Sequence, residues 1–297
     1  MLRKCLWLAR ELFDFNLEMI NEKIASKRMS FGKPIDYASL PRRVYEQAPC
    51  CFVLSTGRCG TKLLTKLMGL SKEIKCKHVP FPELIYFSKL AYETFEEDRK
   101  KFKFAINMAR YELIQEAFLR KQTYVETNNR ITFFAPFLTE IFKQAKFIHL
   151  VRHPADFVRS GINREWYKGR NIHDTGRIVP QHNKQIDWSE MTQIERIAWL
   201  WNETNQFIEN FKLNLKDPDR ILFVKAEDLF SRPETTQKVF SFLKLVSPPI
   251  KKITKIIRRS VNVQRNSYCS KYDQWKQQEK DQLSKYAGLF SKYNYNL

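Results

Sequence analysis

The sequence predicts an α/β protein in which a parallel sheet lies between two layers of helices. Short apolar runs alternate along the chain with longer segments of helical periodicity, and this alternation is typical of parallel sheets. The 297 residues are 43% hydrophobic, which is enough for a large core. The predicted strands are 50–55, 74–79, 123–127, 146–151 and 220–225, and the predicted helices lie near 62–70, 83–120, 135–144, 154–163 and 190–214.

A separate N-terminal region, residues 1–49, precedes the main domain predicted over 50–297. Its residues 2–24 carry apolar side chains at steps of three or four, which predicts an amphipathic helix, and residues 29–49 form a connector. We expect this helix to pack against the protein's own body; binding to a membrane surface or to a partner is the alternative. Charges interrupt each apolar run, so the sequence predicts neither a secretory signal nor a membrane span.

Lysine and arginine outnumber aspartate and glutamate by 52 to 32, which gives a net charge of +20. Such basicity favours polyanionic partners: nucleic acid, acidic glycan, anionic lipid or a phosphorylated cofactor. Residues 165–189 combine basic and aromatic side chains in a long, weakly periodic loop, as binding loops often do. Residues 251–265 predict a helix with one basic face, which is either solvated or in contact with an anion.

The six cysteines form no Cys-x-x-Cys pair and share no metal-ligand spacing with the five histidines. Several of them lie in or beside predicted strands, where a free cysteine behaves as a small apolar residue. The sequence therefore predicts a reduced, cytoplasmic protein without a metal site.

A turn rich in potential phosphate ligands follows the first predicted strand, in the segment CFVLSTGRCGTKLL. A strand, a glycine-bearing turn and a helix start direct backbone N–H groups and the positive end of a helix dipole at one point. The pattern differs from the nucleotide-triphosphate loop GxxxxGK[ST], because no hydroxyl follows the lysine to bind Mg²⁺. A glycine turn with a structural role only is the alternative. The candidate phosphate ligands are Thr56, Gly57, Arg58, Cys59, Gly60, Thr61 and Lys62.

A second candidate site follows the fourth predicted strand, in the segment FIHLVRHPADFVRSGINR. Arg152 stands at the strand tip, where ligands bind in open α/β sheets, and its guanidinium suits a phosphate. Ser160 follows eight residues later on the next predicted helix and can hydrogen-bond the same group. Both segments therefore point to an anionic ligand at the carboxyl edge of the sheet.

With these two motifs in this order, the chain resembles the sulfotransferase superfamily over roughly residues 50 to 290. A third, looser similarity is the segment VKAEDLFSRPETTQKVFSFLKL. The resemblance implies a P-loop-like fold, 3'-phosphoadenosine 5'-phosphosulfate (PAPS) as the donor of a sulfuryl group, no metal, and a hydroxyl or amine acceptor. It also implies that the turn binds the 5'-phosphosulfate, that Arg152 and Ser160 bind the 3'-phosphate, and that a C-terminal segment with Arg265 and Lys271 closes over that phosphate.

The resemblance also indicates which groups could activate the acceptor. Related enzymes keep a catalytic carboxylate after the second strand, which makes Glu83 the first candidate base, with His78 and Glu126 as its rivals. Each has a structural alternative: Glu83 as a partner of a helix dipole, His78 as a core histidine, Glu126 as the partner of a cation. Arg58 stands where many members carry a lysine; it can stabilise charge on the leaving group, but it is a poor proton donor.

The sequence leaves the identity of the acceptor open. The aromatic and basic loop at 165–189 favours a carbohydrate. An anionic glycan suits the positive charge. Nucleic acid is a weaker expectation, because charge alone does not explain the spacing of Arg152 and Ser160. Two other functions are alternatives: a P-loop kinase, which needs a magnesium ligand that the turn lacks, and a basic glycan- or nucleic-acid-binding module without catalysis.

Overall fold

The computed structural model describes residues 36–94, 96–169, 172–181, 186–259 and 270–296. The chain divides into two compact units, residues 1–41 and 42–297. In the described part of the first unit, the Asp36 carboxylate accepts hydrogen bonds from the backbone N–H groups of Ala38 and Ser39. The amphipathic helix predicted over 2–24 lies outside the described residues.

Five parallel strands form one sheet in the order β2-β3-β1-β4-β5, which confirms the predicted fold class. All five coincide with predicted strands to within two residues at each end. β1 lies in the middle of the sheet and all its residues are buried, as expected for a strand covered on both faces. The strands are β1 (Cys50–Leu54), β2 (Ile74–Lys77), β3 (Thr123–Glu126), β4 (Ala145–Val151) and β5 (Ile221–Lys225).

Helices connect the strands and cover both faces of the sheet. One predicted helix, 83–120, is two helices, because the helical conformation stops at Thr94 (φ −125°, ψ 36°) and resumes after Asp98. The Thr94 hydroxyl donates a hydrogen bond to the Asp98 carboxylate at 3.5 Å across this break, and such short polar side chains compete with the helical backbone. The described α-helices are α1 (Leu40–Gln47), α2 (Thr61–Met68), α3 (Ile85–Glu93), α4 (Arg99–Leu119), α5 (Ala135–Ile141), α6 (Pro154–Ile162), α7 (Gln193–Leu213), α8 (Ala226–Ser231), α9 (Pro233–Phe242), α10 (Ile250–Arg258) and α11 (Gln277–Tyr286).

Short 3₁₀ helices occur in several of the connections. They span Asn129–Phe134, Ile172–Gly176, Pro218–Arg220, Tyr272–Gln274 and Gly288–Tyr293. Within the described ranges, no helix combines the length and the apolarity needed to cross a membrane.

The two faces of the sheet carry different cores. Alternate residues of a strand point to opposite faces, so Cys51 and Val53 of β1 pack into an apolar cluster with residues of α2, α9 and α10. Phe52 points the other way, where its ring centroid lies 6.2 Å from that of Tyr124 and 6.1 Å from that of Phe147. β1 is therefore held rigidly from both sides, which fixes the position of the turn that follows it.

The strand order places the carboxyl ends of β1 and β4 side by side, at the point where successive strands stop being added on one side of β1 and continue on the other. From β1 the chain runs to one side, through β2 and β3, and then returns to the other side of β1 as β4. β1 and β4 are paired from Cys50–Ala145 to Leu54–His149. In open α/β sheets ligands bind at this switch point, which here brings the turn after β1 next to the segment after β4.

Candidate active site

The turn between β1 and α2 has a backbone suited to binding an anion. Gly57, Arg58 and Gly60 have positive φ angles of 82°, 57° and 90°. A Cβ at Gly60 would lie 2.4 Å from the Phe230 ring, so this position requires glycine. The first helical hydrogen bond of α2 runs from the Leu64 N–H to the Gly60 carbonyl, and the N–H groups before it have no helical acceptor. These donors, with the positive end of the helix dipole, face the turn.

Buried hydrogen bonds hold the turn in shape. The Ser55 hydroxyl accepts from the Gly57 N–H at 3.2 Å, and the Thr132 hydroxyl bonds both the N–H and the carbonyl of Ser55 at 3.1 Å. Thr56 Oγ1 and Cys59 Sγ lie 3.2 Å apart. Burial raises the pKa of the Cys59 thiol to about 11, so the thiol is protonated at neutral pH. The side chains of Thr56 and Cys59 are therefore part of the packing of the turn itself.

The two remaining candidates from this motif lie in the first turn of α2. Thr61 is buried, and its carbonyl accepts a hydrogen bond from the Thr65 hydroxyl at 2.9 Å. Lys62 is exposed. Burial lowers the pKa of His78, and the positive charge of Lys62 lowers it further. The ammonium group of Lys62 therefore influences the protonation of the His78 ring.

Three guanidinium groups meet where the turn approaches the carboxyl end of β4. Arg58 Nε and Arg164 Nη1 both donate to Ser160 Oγ, at 3.3 and 3.0 Å. Arg152 Nη1 donates to the Arg58 carbonyl at 3.0 Å, and Arg152 Nε is buried without a hydrogen-bond partner in the described part of the chain. Burial and the charges of Arg164 and Arg152 lower the pKa of Arg58 to about 10. A phosphate would relieve the repulsion between these cations and supply an acceptor for the unpartnered N–H.

The sequence motifs identified Arg58, Arg152 and Ser160 in this cluster but missed Arg164. Arg164 follows Ser160 by four residues, and its Nη1 also contacts the Ser160 carbonyl at 3.0 Å. This spacing was the available signal, because the chain makes one more turn after α6 ends at Ile162, where the Arg164 N–H bonds the Gly161 carbonyl at 3.0 Å. The Asp156 carboxylate contacts Arg152 Nη2 at 3.3 Å, but more than a third of the Asp156 side chain is exposed. The cluster therefore keeps a strong positive field, which suits a multiply charged anion.

His78 directly follows β2 and is anchored through one ring nitrogen. Its Nδ1 lies 2.8 Å from the Thr127 carbonyl and 2.9 Å from the Thr127 hydroxyl, which contacts the Thr65 hydroxyl of α2 at 2.6 Å. Because a carbonyl only accepts hydrogen bonds, Nδ1 carries the proton and Nε2 keeps its lone pair. Burial, together with the charges of Lys62 and Arg58, lowers the pKa of His78 to about 4. His78 is therefore neutral at physiological pH and can accept a proton at Nε2.

Glu83, the first candidate base from the sequence, is engaged in an ion pair. Its Oε2 accepts a hydrogen bond from Arg130 Nη1, and Arg130 Nη2 lies 3.0 Å from His173 Nδ1. About a third of the Glu83 side chain, 32%, is exposed. The pair ties the loop after β2 to the 3₁₀ helix Asn129–Phe134, which favours a structural role for this carboxylate.

Glu126 lies against a cation, which is the structural role considered for it. Its carboxylate and the Arg110 guanidinium are completely buried and form two hydrogen bonds, of 2.6 and 2.9 Å. Tyr124 and Asn128 donate to the same carboxylate at 3.0 and 3.1 Å. With four donors on its two oxygens, Glu126 belongs to a closed network that joins β3 to α4.

The C-terminal candidates are described only in part. Arg265 lies outside the described residues, so its role stays a prediction. Lys271 is exposed, and the ring of the next residue, Tyr272, has its centroid 6.0 Å from that of His153. Because His153 follows Arg152 directly, the segment that carries Lys271 reaches the carboxyl end of β4.

The aromatic side chains of the loop at 165–189 pack inward within its described residues. Trp166 is 5% exposed, and the Arg177 guanidinium lies 3.9 Å from the centroid of its ring. The ring centroid of Trp188 lies 5.1 Å from that of Tyr167 and 5.4 Å from that of Trp199. Trp166 and Trp199 are therefore buried, while Tyr167 and Trp188 are half-buried, which weakens the argument for a carbohydrate acceptor.

A model of the family described as "Sulfotransferase domain" matches residues 49–295. Among solved structures, a sulfotransferase from Mycobacterium avium is similar, with a TM-score of 0.50 and 11% identity over 88% of this chain and 80% of that chain. The sulfotransferase domain from the curacin biosynthetic pathway has a TM-score of 0.49 and 15% identity over 85% of this chain and 99% of that chain. A comparison with curated proteins found no match. The family match includes both motifs around the guanidinium cluster, and the chain belongs to the sulfotransferase domain family.

Proposed function

We propose that this chain is a PAPS-dependent sulfotransferase that transfers a sulfuryl group to a hydroxyl group of its acceptor. The observation that carries the proposal is the cluster of Arg58, Arg152 and Arg164 around Ser160, with the buried and unpartnered Nε of Arg152. PAPS supplies the sulfuryl group, and it carries a 3'-phosphate and a 5'-phosphosulfate. Two adjacent sets of donors, the guanidinium cluster and the turn at 56–62, suit these two anions.

The guanidinium cluster is the site that we assign to the 3'-phosphate. Arg152 and Arg164 provide charged donors there, and Ser160 provides a hydroxyl. The backbone N–H groups of the turn and of the first turn of α2 suit the 5'-phosphosulfate. Arg58 belongs to both sets, because it lies in the turn while its Nε reaches Ser160. The adjacency of the two sets of donors at the switch point of the sheet supports their assignment to a single nucleotide.

His78 is the group that we assign as the general base. As the acceptor oxygen forms its bond to sulfur, the bond between sulfur and the 5'-phosphate oxygen breaks, and the hydroxyl proton passes to His78 Nε2. The neutral state of His78 and its anchored Nδ1 support this role. Glu83 and Glu126 are less suitable, because each is already paired with an arginine.

The reaction also requires stabilisation of the negative charge that develops on the departing 5'-phosphate. Arg58 is suited to it, because a pKa of about 10 keeps the guanidinium positive at neutral pH. The N–H groups at the start of α2 act on the same charge, and Lys62 lies in the same helical turn. As in phosphoryl transfer, alignment and charge stabilisation would account for most of the rate enhancement.

Calorimetric titration with 3'-phosphoadenosine 5'-phosphate (PAP), run beside ATP with Mg²⁺, tests the proposal. We expect micromolar binding of PAP without metal and weak binding of ATP, because the turn lacks the hydroxyl that holds Mg²⁺ in nucleotide-triphosphate loops. Tight, Mg²⁺-dependent ATP binding would instead indicate a kinase. Binding of neither nucleotide would contradict the proposal and favour a basic binding module without catalysis.

A further inference from the structure

An apolar cavity of about 350 Å³ lies beside the loop that follows β2. Leu84, Ile85 and Phe87 line it from one side, and the α4 residues Ala105, Met108 and Ala109 line it from the other. None of these side chains carries a charge or a hydrogen-bonding group. The volume lies within the range of small-molecule binding sites.

Large hydrophobic side chains are exposed around this cavity. The exposed fractions are 83% for Phe81, 58% for Tyr86, 47% for Phe87, 68% for Phe104 and 64% for Met108. All five belong to the two chain segments that line the cavity. Single exposed hydrophobic residues are common on protein surfaces, but a cluster of them around a cavity is typical of a binding site.

One buried and one partly exposed ion pair hold the floor of the cavity in place. The carbonyl of Pro82, which also lines the cavity, accepts hydrogen bonds from both Nη atoms of Arg110 at 3.2 Å. Arg110 is completely buried and paired with Glu126, and Glu83 is paired with Arg130. The cavity therefore presents a preformed apolar surface, which suits a hydrocarbon group better than a sugar.

The cavity and the proposed base share one loop. His78 precedes Pro82 by four residues, so their Cα atoms are at most about 14 Å apart. Both lie at the carboxyl end of β2, on the same edge of the sheet as the turn and the guanidinium cluster. A molecule with a hydroxyl group at one end and a hydrocarbon group at the other is the kind of ligand that would bridge such a distance.

We infer that the acceptor is an amphiphilic alcohol, with its hydrocarbon part in this cavity and its hydroxyl group at His78. The inference rests on the proposed function and names the chemical class of the acceptor. The packing of the loop at 165–189 supports it, because Trp166 is buried and Trp188 is half-buried, so neither tryptophan presents a fully open ring to a sugar.

A chain-length series of acceptors tests the inference with the full chain and PAPS. The rate of PAP release is measured with straight-chain primary alcohols from butanol to decanol, and with a neutral oligosaccharide. We expect kcat/KM to rise about fourfold for each added methylene until the cavity is filled, as for transfer of hydrocarbon from water. A flat dependence on chain length, or a faster reaction with the oligosaccharide, would overturn the inference.

Direct binding of 2-naphthol to the PAP complex, measured by equilibrium dialysis, provides a second readout. Ala105→Glu and Met108→Glu each place a carboxylate at the cavity, and we expect binding to weaken at least tenfold. Val246→Glu is the matched control, because Val246 is also highly exposed, at 80%, but does not line the cavity. Met108 is exposed enough for its variant to fold, so unchanged 2-naphthol binding in that variant would refute the assignment.

Calorimetry with PAP distinguishes a wrong acceptor class from a wrong proposed function. If PAP binds normally while the alcohols bind and react without regard to chain length, only the acceptor class is wrong. If PAP fails to bind, the proposed function is wrong and the acceptor class falls with it. A cavity occupied by another part of the chain or by a second copy would appear as absent 2-naphthol binding, which also overturns the inference.

Discussion

The turn after β1 and the end of β4 bring three guanidinium groups together, two of which donate to Ser160, whereas the loop after β2 and helix α4 line an open cavity without a charged lining residue. On the first side, the buried Arg152 Nε has no hydrogen-bond partner among the described residues. On the second side, Glu126 is paired with the buried Arg110, and the partly exposed Glu83 is paired with Arg130. The comparison shows how one sheet edge can carry two chemically different surfaces, and our proposals assign the charged one to the donor and the apolar one to the acceptor.

His78 stands between these two regions, and its replacement should have the largest effect. His78→Asn keeps a donor for the Thr127 carbonyl but removes the ring nitrogen that accepts the proton. We expect kcat to fall about 10²–10⁴-fold, the usual contribution of a general base, with PAP affinity unchanged. Steady-state rates and calorimetry on the same preparation measure both quantities.

Glu83→Gln is the matched comparison for the catalytic role. Glutamine can still accept the hydrogen bond from Arg130, so the loop should keep its shape and the rate should change by less than about threefold. A loss as large as that of His78→Asn would return the role of base to Glu83, which the sequence had ranked first.

Replacing the arginines of the cluster should have the next largest effect, and on the donor side only. Arg152→Ala should weaken PAP binding by about 1.5–3 kcal/mol, which is roughly 10- to 150-fold, because a charge-assisted hydrogen bond to phosphate is lost. Arg164→Ala should act in the same direction but less strongly. Arg159→Ala is the control, because Arg159 lies on α6 between these two arginines in sequence but makes no contact with the cluster in the described structure. Calorimetry in which Arg152→Ala and Arg159→Ala bind PAP equally would contradict the assignment of the 3'-phosphate site.

The smallest expected effect concerns the pH dependence of His78. Because its pKa is lowered to about 4 by burial and by the charges of Lys62 and Arg58, the base stays unprotonated from neutral pH down to near that value. The acid limb of kcat/KM, which reports the free enzyme, should therefore lie well below the ordinary histidine pKa of about 6.5. Lys62→Met removes one of the charges that disfavour protonation, so the limb should move to higher pH. A limb that keeps its position would show that another group controls it.

The five strands and the glycine-bearing turn could be predicted because their signals are local. An apolar run such as CCFVL indicates a buried strand, and the turn with Gly57 and Gly60 requires backbone conformations that favour glycine. The prediction of one continuous helix at 83–120 was wrong. The break at Thr94 depends on short polar side chains, which hydrophobic periodicity does not reveal.

The roles of the three candidate bases could not be separated from the sequence, because each depends on a partner far along the chain. Glu126 meets Arg110 across the interface of β3 and α4, and Glu83 meets Arg130 from the next connection. The pKa of His78 depends on its burial and on charges in the turn after β1. Burial and charge pairing are properties of the folded chain, and they decide which of these groups is available to accept a proton.

The amino-acid sequence was sufficient to predict the parallel α/β sheet and the glycine-bearing turn at its carboxyl edge. These features follow from periodicity, glycine turns and short spacings, all of which act over a few residues. The convergence of Arg58 and Arg164 on Ser160, the burial of Trp166 and the apolar cavity beside the loop of His78 became visible in the folded chain. Residues about a hundred positions apart meet there, and packing rather than local pattern places them.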